Sequence, residues 1–285
     1  MEKNSIFIVI PVFNRIKFTR NCLESLYNQT WKNFKVIVID DGSNDGTSRM
    51  IETQFPEVIL IKGDGNLWWT KATNLGVAYA LDDNADFILT LNNDTILHKE
   101  FLEKMIIWAL QKPNALLGAL AVDVHSNRVV YGGEKINWKL ATYEKIIDKI
   151  PISSRNGVHE VSHFPGRGLL IPSIVFKNIG LFDEIRFPHY AADFDLTHRA
   201  VRKGFPLFIN YDAKLFVYPE ESGSVQLRKS RSIRNYVNHL FGIRGGGNLI
   251  NFVNFAKMNC PKKYLISFLL LGTLRRIFGY WINNE

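Results

Sequence analysis

The chain contains little cysteine, and the two cysteines that it has form no recognisable pattern. Cys22 and Cys260 are the only ones in 285 residues, and their spacing fits neither a metal-ligand motif nor a disulfide scaffold. A small secreted domain held together by disulfides is therefore excluded. We expect a reducing location, which favours the cytoplasm.

Long apolar runs are also scarce. Residues 1–5 lead directly into the strand-like run 6–10, and we find no apolar stretch of the roughly 20 residues that cross a bilayer. We therefore expect neither export nor a membrane span. The chain is nevertheless 46% apolar, enough to bury a large core, which excludes a disordered protein.

Acidic side chains are almost absent from the last fifth of the chain. From Arg228 onward there are ten Lys or Arg and one acid, Glu285, whereas the preceding residues hold 25 basic and 26 acidic side chains. The net charge of +8 thus arises from this tail. A cationic end on a neutral body indicates an anionic surface or a phosphorylated ligand as partner.

The tail leaves two structural interpretations open. Its apolar segment 262–282, with flanking bases and aromatics, suits a helix lying in an anionic membrane interface. It equally suits a C-terminal helix that docks on the catalytic domain or on another subunit. Nucleic acid is not expected, because the tail lacks a recognition motif and is too apolar to line a solvated groove.

The first hundred residues alternate short apolar runs with helical patterns, which is typical of βαβ units and a mainly parallel sheet. Strands are predicted at residues 6–10, 36–39, 58–61 and 87–91. From residue 123 to 161 this rhythm fades. We expect antiparallel strands and long loops there, over one side of the sheet.

Two of the predicted strands end in acidic residues. Strand 87–91 stops at Asn92-Asn93-Asp94, and strand 36–39 stops at Asp40-Asp41. In an open α/β sheet, ligands bind at the carboxyl ends of the strands. Carboxylates from two strands can therefore converge on one crevice, which predicts a nucleotide and metal site.

The chain resembles the inverting family-2 glycosyltransferases of the GT-A fold, particularly rhamnosyltransferase-like members that act in bacterial surface polysaccharide assembly. The motifs that carry this resemblance follow in order along residues 5–204: Ile10-Pro11-Val12-Phe13-Asn14-Arg15, the segment 39–47, the segment 66–76, Asn92-Asn93-Asp94, and Ala192-Asp193-Phe194-Asp195-Leu196 with Arg199. It implies an α/β fold with a Rossmann-like, mainly parallel sheet, an added antiparallel acceptor-side part and C-terminal helices. The expected domains are a glycosyltransferase domain over 1–225, divided into a nucleotide-binding half (1–98) and an acceptor half (99–225), and a basic amphipathic tail over 226–285.

The resemblance implies a sugar-nucleotide donor linked to UDP or dTDP, and a divalent cation, Mg²⁺ or Mn²⁺, bound by Asp94. Such a cation stabilises the negative charge of the leaving diphosphate. The family usually has Asp-x-Asp here, whereas this chain has Asn92 at the first position. An amide oxygen is a neutral ligand, so we expect weak metal binding unless the donor phosphates supply further ligands. The alternative for Asp94 is a turn or capping residue.

Other residues are implied to bind the nucleotide. Asp41 resembles the carboxylate that accepts a hydrogen bond from N3–H of uracil or thymine, although Asp-Gly is also a common turn. Trp69 would pack on the nucleotide or fill the core. Arg167, between two glycines, would reach the diphosphate or be a surface loop residue. The remaining expected donor-site residues are Pro11, Val12, Phe13, Asn66, Asn92 and Asn93.

Inversion requires a carboxylate that takes the proton of the acceptor hydroxyl. By resemblance this base is Asp193; the alternative is that Asp193 only caps the helix that follows. Asp195 is expected on a different helix face, and the acidic residue that the family has before the base is Ala192 here. His189, Tyr190 and His198 lie near the base in sequence, and we assign them no chemistry.

The sequence thus predicts a metal-dependent, inverting transfer of a sugar to a hydroxyl of a glycan, lipid-linked in our interpretation. We expect it in the cytoplasm or peripherally bound to the inner face of the cell membrane. The alternative is a non-catalytic nucleotide-sugar-binding or scaffold protein of a polysaccharide assembly complex.

Overall fold

The computed structural model describes residues 4–221 and 232–282. The predicted domain boundary at 225/226 lies outside these residues, and so do Arg228, Lys229, Arg231 and Glu285 of the cationic tail. The strands are β1 (Ile6–Val12), β2 (Phe34–Asp40), β3 (Ile59–Lys62), β4 (Phe87–Thr90), β5 (Thr95–Leu97), β6 (Leu116–Asp123), β7 (Val129–Tyr131), β8 (Glu134–Asn137), β9 (Thr142–Lys145), β10 (Val158–Glu160), β11 (Leu169–Pro172) and β12 (Leu207–Val217). The α-helices are α1 (Ile16–Tyr27), α2 (Thr47–Gln54), α3 (Trp68–Asp82), α4 (Phe101–Gln111), α5 (Ser173–Ile179), α6 (Ala192–Arg202), α7 (Ile233–Phe241), α8 (Leu249–Asn259) and α9 (Leu265–Ile282).

The first four long strands form the parallel part of the main sheet, in the order β3-β2-β1-β4. Side chains of β1 alternate between two cores: Phe7 and Val9 pack on one face of the sheet, and Ile8 and Ile10 on the other. Helices cover both faces, so β1 is apolar almost throughout, as a strand buried on both sides must be. The expected Rossmann-like half is confirmed.

The second half of the chain extends this sheet with strands of mixed direction. Strand β11 runs antiparallel between β4 and β6, with Leu169 opposite both Thr90 and Gly118. Further out, β12 lies parallel to β6 and antiparallel to β10, and β8 and β9 form a separate antiparallel pair. The predicted antiparallel elaboration between residues 123 and 161 is therefore present.

The C-terminal helices pack on the body of the protein. Phe252, Phe255 and Phe268 belong to the same buried apolar cluster as Phe7 and Val9 of the sheet. Polar contacts add to this packing, because the amide of Asn259 donates to Asp195 at 3.0 Å and accepts from Arg202 at 2.6 Å. The interpretation in which the tail docks on the protein therefore holds for the face of these helices that carries Phe252, Phe255 and Phe268.

The expectation that no segment is long enough to cross a membrane was wrong. Segment Lys262–Ile282 is helical over 21 residues with a mean hydropathy of 1.4, which suffices by length and composition alone. Arg275 and Arg276 interrupt the apolar run in the sequence, but two charges do not lower the mean hydropathy of the segment below that of a membrane-spanning helix. Only 17% of the apolar window is fully buried within the protein, and the other residues of α9 are half-buried or exposed.

Candidate active site

A cavity of about 1280 Å³ lies at the carboxyl ends of β1, β2 and β4. Its opposite wall is formed by the start of α6 and by the segment that joins α7 to α8. The predicted site residues that line it are Pro11, Val12, Phe13, Asp41, Trp69, Asn92, Asn93, Asp94, Arg167 and Asp193. Asn66 is the exception: it is exposed in a turn, where its N–H donates to Asp64, and it does not line the cavity.

Asp41 organises the loop that follows β3. Its Oδ1 accepts the N–H of Gly65 at 2.9 Å, and its Oδ2 accepts those of Leu67 and Trp68 at 3.0 and 3.1 Å. A carboxylate offers about four lone-pair directions, so three N–H donors leave one for a ligand. The turn role and the base-recognition role foreseen for Asp41 are therefore compatible.

Asp94 forms an ion pair that the sequence did not reveal. Arg15 has a left-handed backbone with φ of 69° just before α1, and its Nη1 lies 3.0 Å from Asp94 Oδ2. The other terminal nitrogen, Nη2, lies 3.2 Å from a carboxylate oxygen of Glu221. Asp94 thus faces the cavity in ionic contact with a guanidinium, which balances its charge in the absence of a donor.

The neighbouring asparagines are already engaged. Asn92 Oδ1 accepts from the indole N–H of Trp69 at 3.0 Å, and Asn93 donates to Thr19 at 3.0 Å inside the protein. Within residues 4–221 and 232–282, no group of three His, Cys, Asp or Glu could hold a metal by itself. Asp94 still fits the way Mg²⁺ is usually held, by one or two carboxylates together with substrate phosphates and water. A divalent cation at Asp94 would therefore need further ligands, such as substrate phosphates and water.

Arg167 lines the cavity between the two acidic centres. Burial lowers its pKa, and the charges of Asp94 and Asp193 oppose that shift. Its Nε is buried and has no hydrogen-bond partner among the described residues. An unpartnered guanidinium donor in a cavity is able to bind an anion. Arg167 is half-buried, so it is not the exposed loop arginine of the alternative interpretation.

Asp193 lies in the first turn of α6 at the cavity wall. Its Oδ2 accepts the N–H of Gly166 at 2.8 Å, and its Oδ1 accepts that of Phe194 at 2.9 Å. Burial raises the pKa of Asp193, and these two N–H groups partly offset the rise. A carboxylate with a raised pKa is a stronger base at the pH where it is ionised.

Close packing requires a glycine at position 166. A Cβ at this position would lie 2.4 Å from the ring of Trp69 and 3.5 Å from Cβ of Asp193. Only glycine therefore lets the indole and the carboxylate approach from both sides of this loop.

Asp195 has the separate orientation expected for it. It is fully buried, accepts from Arg199 Nε at 2.7 Å and Asn259 at 3.0 Å, and does not line the cavity. Its contacts join α6 to α8. Asp195 is thus a structural residue that helps hold Asp193 in place.

The histidines near the base are neutral at physiological pH. Burial lowers the pKa of His189 to about 4, assisted by the charge of Arg244, and burial lowers that of His198 to about 3. His198 packs among Trp138 and Phe255. These rings shape the cavity and its surroundings without carrying charge.

Several cavity residues were not anticipated as a group: Arg15, Trp68, Tyr143, Arg244, Asn248, Asn251 and Arg276. Those beyond residue 230 come from the tail, for which the sequence left open a helix at a membrane interface or a helix docked on the protein. One local feature of the sequence could have indicated this part of the cavity, the run Gly245-Gly246-Gly247 after Arg244. No role was predicted for it.

Known glycosyltransferases are similar to this chain in sequence. The model of glycosyl transferase family 2 matches residues 7–167. An uncharacterized glycosyltransferase of Rickettsia prowazekii is 31% identical over 209 residues, which cover 69% of this chain and 58% of the relative. Another, from Rickettsia typhi, is 29% identical over 202 residues with the same coverage. The chain thus spans 58% of the length of these relatives.

Solved structures share the fold. S. aureus TarS 1–349 in complex with UDP superposes with a TM-score of 0.58 at 17% identity, covering 98% of this chain and 73% of the TarS 1–349 chain. The complex of TarS 1–349 with UDP-GlcNAc gives a TM-score of 0.61 at 16% identity, covering 96% of this chain and 73% of the TarS 1–349 chain. This likeness establishes the GT-A architecture, and together with the family match over more than half of its residues it shows that the chain belongs to glycosyl transferase family 2.

Proposed function

We propose that this chain transfers a sugar from a UDP- or dTDP-linked donor to a hydroxyl of a glycan, with inversion at the anomeric carbon. The observation that carries the proposal is the convergence of Asp41, Asp94, Arg167 and Asp193 on one cavity. The UDP and UDP-GlcNAc complexes of TarS, which has the same fold, support a nucleotide-sugar donor.

In this proposal the nucleotide lies along the carboxyl ends of β1 and β2. Pro11, Val12 and Phe13 line the base pocket, and Asp41 accepts N3–H through its remaining lone pair. A pyrimidine with N3–H is thereby selected over cytosine, whose N3 offers no hydrogen.

The diphosphate lies between Arg167 and Asp94. The buried guanidinium of Arg167 donates to its oxygens, which gives the unpartnered Nε an acceptor. Asp94 would hold a Mg²⁺ or Mn²⁺ shared with the phosphates, and that cation supplies Lewis-acid stabilisation of the leaving group. Arg15 adds a second guanidinium beside Asp94.

Asp193 acts as the general base. It takes the proton of the acceptor hydroxyl while that oxygen bonds to the anomeric carbon and the bond from this carbon to the diphosphate breaks. The Gly166 and Phe194 N–H groups fix the orientation of the carboxylate. The attack from the side opposite the diphosphate inverts the configuration.

We further propose that α9 lies on an anionic membrane, at the inner face of the cell membrane, where the enzyme meets a lipid-linked acceptor. A stripe with a four-residue spacing is exposed along this helix: Ile266 (83%), Leu270 (61%), Leu274 (43%) and Phe278 (56%). Residues 232–282 contain seven Lys or Arg and no acid. Apolar burial and electrostatic attraction thus favour the same surface.

The function is tested with a panel of nucleotide sugars, with and without Mn²⁺. A donor that binds the folded chain raises its melting temperature according to its affinity, and release of UDP or dTDP reports turnover. We expect uridine or thymidine donors to stabilise the protein and cytidine or guanosine donors not to. A chain that binds such donors but never releases the nucleoside diphosphate, with any acceptor glycan, is instead the non-catalytic binding protein.

A further inference from the structure

The cavity is larger than the donor alone requires. Its volume of about 1280 Å³ exceeds the roughly 300–1,000 Å³ typical of a pocket for one small ligand. Trp68, His189 and Arg244, contributed by three distant segments, contact one another and line one part of the cavity. The cavity therefore has room for an acceptor beside the donor.

Trp68 has an unusual backbone for a bulky residue. Its φ is +58°, in the left-handed region that non-glycine residues rarely adopt. The N–H groups of Leu67 and Trp68 both bind Asp41, which holds the turn in this conformation. The strained turn places the indole in the cavity wall.

Two side chains pack against this indole. The guanidinium carbon of Arg244 lies 5.4 Å from the centre of the Trp68 ring, and the His189 ring meets it edge-on with centroids 6.0 Å apart. The lowered pKa of His189, to which Arg244 contributes, reflects the same proximity. A guanidinium stacked on an aromatic face loses less freedom when it binds a ligand.

Arg244 lines the cavity and has no acidic partner among the ion pairs of residues 4–221 and 232–282. Arg276 also lines the cavity, but its guanidinium lies 3.7 Å from the centre of the Phe252 ring and donates to the carbonyl of Gly272. The amide of Asn248 is likewise engaged, with the N–H of Asn251 and the carbonyl of Gly242. Arg244 is exposed.

We propose that Arg244 binds a phosphate group carried by the acceptor, while a sugar ring of that acceptor lies against Trp68. The inference rests on the proposed function, because it assigns the acceptor half of the same cavity. Its chemistry is that of a guanidinium fork with phosphate oxygens and of an aromatic face with a sugar ring. The phosphate is either the diphosphate of a lipid carrier or a phosphodiester within the glycan.

The test is calorimetric titration of the full chain saturated with UDP, so that the diphosphate region is filled. Glucose 1-phosphate and glucose serve as matched probes that differ only in the anion. We expect the wild type to prefer the phosphorylated probe by about tenfold or more, as for one charge-assisted contact. Arg244→Gln should lose this preference and Arg244→Lys should keep part of it.

Lys257→Gln is the matched control, because Lys257 is an exposed base on α8 that does not line the cavity. It should retain the full preference, since it removes the same charge elsewhere. Trp68→Gly should weaken binding of both probes equally, because it removes the ring, while its backbone still adopts φ of +58° without strain. An Arg244→Gln variant that still prefers the phosphorylated probe as strongly as the wild type overturns the proposal.

The two phosphate sources are separated by transfer assays with a lipid-diphosphate-linked saccharide and with a soluble phosphodiester-containing glycan. The acceptor whose KM rises in Arg244→Gln, with the donor KM unchanged, carries the relevant phosphate. Failure of the proposed function would appear differently: neither the wild type nor any variant would bind UDP or hydrolyse a UDP- or dTDP-sugar. In that case the two probes are titrated without UDP, and loss of the preference for glucose 1-phosphate in Arg244→Gln still reports the phosphate contact.

Discussion

The backbone N–H of Gly166 lies 2.8 Å from Oδ2 of Asp193. This hydrogen bond joins the loop before β11 to the first turn of α6, and the ring of Trp69 closes over the same glycine. The proposed base is therefore held by the loop that also carries Arg167. One glycine thus connects the proposed donor site to the proposed base.

Replacing Asp193 with Asn should lower transfer by about 100- to 10,000-fold, the usual contribution of a general base. Nucleotide binding should remain nearly intact, because Asp41 and Arg167 are unchanged. The substitution removes a charge that burial disfavours, but Asn offers one acceptor oxygen to the two N–H groups of Gly166 and Phe194, so the melting temperature at pH 7 should stay close to that of the wild type. Steady-state kinetics, UDP titration and thermal denaturation measure the three effects, and full turnover by this variant would refute the base assignment.

The transfer rate should depend on the ionisation of Asp193. Burial raises its pKa, so kcat/KM for the acceptor should fall as the pH drops through a value above that of an ordinary aspartate. The effect on stability has the opposite sign. A raised carboxyl pKa in the folded state favours folding in acid, and this contribution is lost as the pH rises through that pKa. A pH profile of kcat/KM whose acidic limb has a pKa at or below that of an ordinary aspartate would contradict the role of Asp193 as general base.

Gly166→Ala should damage both stability and catalysis. Its Cβ would meet the Trp69 ring at 2.4 Å, so the indole or the loop must move, at a cost of about 1–3 kcal/mol for overpacking. The displaced N–H would no longer orient Asp193. Gly279→Ala is the control, because a Cβ there meets nothing within 4 Å and α9 gains a better helix former. Denaturant unfolding and initial rates should separate the two variants clearly.

Asp94→Ala should weaken donor binding only where a divalent cation assists it. Since Asp94 is the carboxylate expected to share the cation with the phosphates, the wild type should bind UDP more tightly with Mn²⁺ than without it. The variant should bind equally under both conditions, at about the metal-free affinity. Calorimetry with UDP and a chelator control checks this. A variant whose binding still responds fully to Mn²⁺ would remove Asp94 from the metal site.

Replacing Leu270 and Phe278 with Glu should reduce binding to vesicles that contain anionic lipid. Both side chains belong to the exposed stripe of α9, and each new carboxylate adds repulsion to the loss of apolar contact. Ile185→Glu serves as the control, because Ile185 is 91% exposed but lies outside the tail. Sedimentation with vesicles should show wild-type retention for this control, falling at high salt. Equal retention of all three proteins would exclude α9 as the membrane surface.

Much of the donor half follows from local pattern. Asp41 and Asp94 come directly after apolar runs that form parallel strands, and the carboxyl ends of such strands meet by geometry. The helical separation of Asp193 from Asp195 follows equally from their spacing. These features depend on residues that are neighbours along the chain.

The remaining features depend on contacts between distant segments. The Arg15–Asp94 ion pair joins positions 79 residues apart, and the wall formed by Trp68, His189 and Arg244 brings together three regions with no shared motif. The apolar tail was underestimated as a span because two adjacent arginines broke its run, although its average hydropathy stayed high. Local patterns do not contain the information that pairs these segments.

The antiparallel course of β11 has an evolutionary consequence. Because this strand enters the sheet at the edge where β1 and β4 leave it, Arg167 reaches the diphosphate region from a short loop anchored by the hydrogen bond from Gly168 N–H to the Thr90 carbonyl. Length changes in the exposed parts of the connections from β8 to β9 and from β9 to β10 would leave the Arg167 guanidinium in place, because the neighbouring Gly168 is held by β4. A protein with this strand can therefore vary that part of its surface without altering the donor site proposed here.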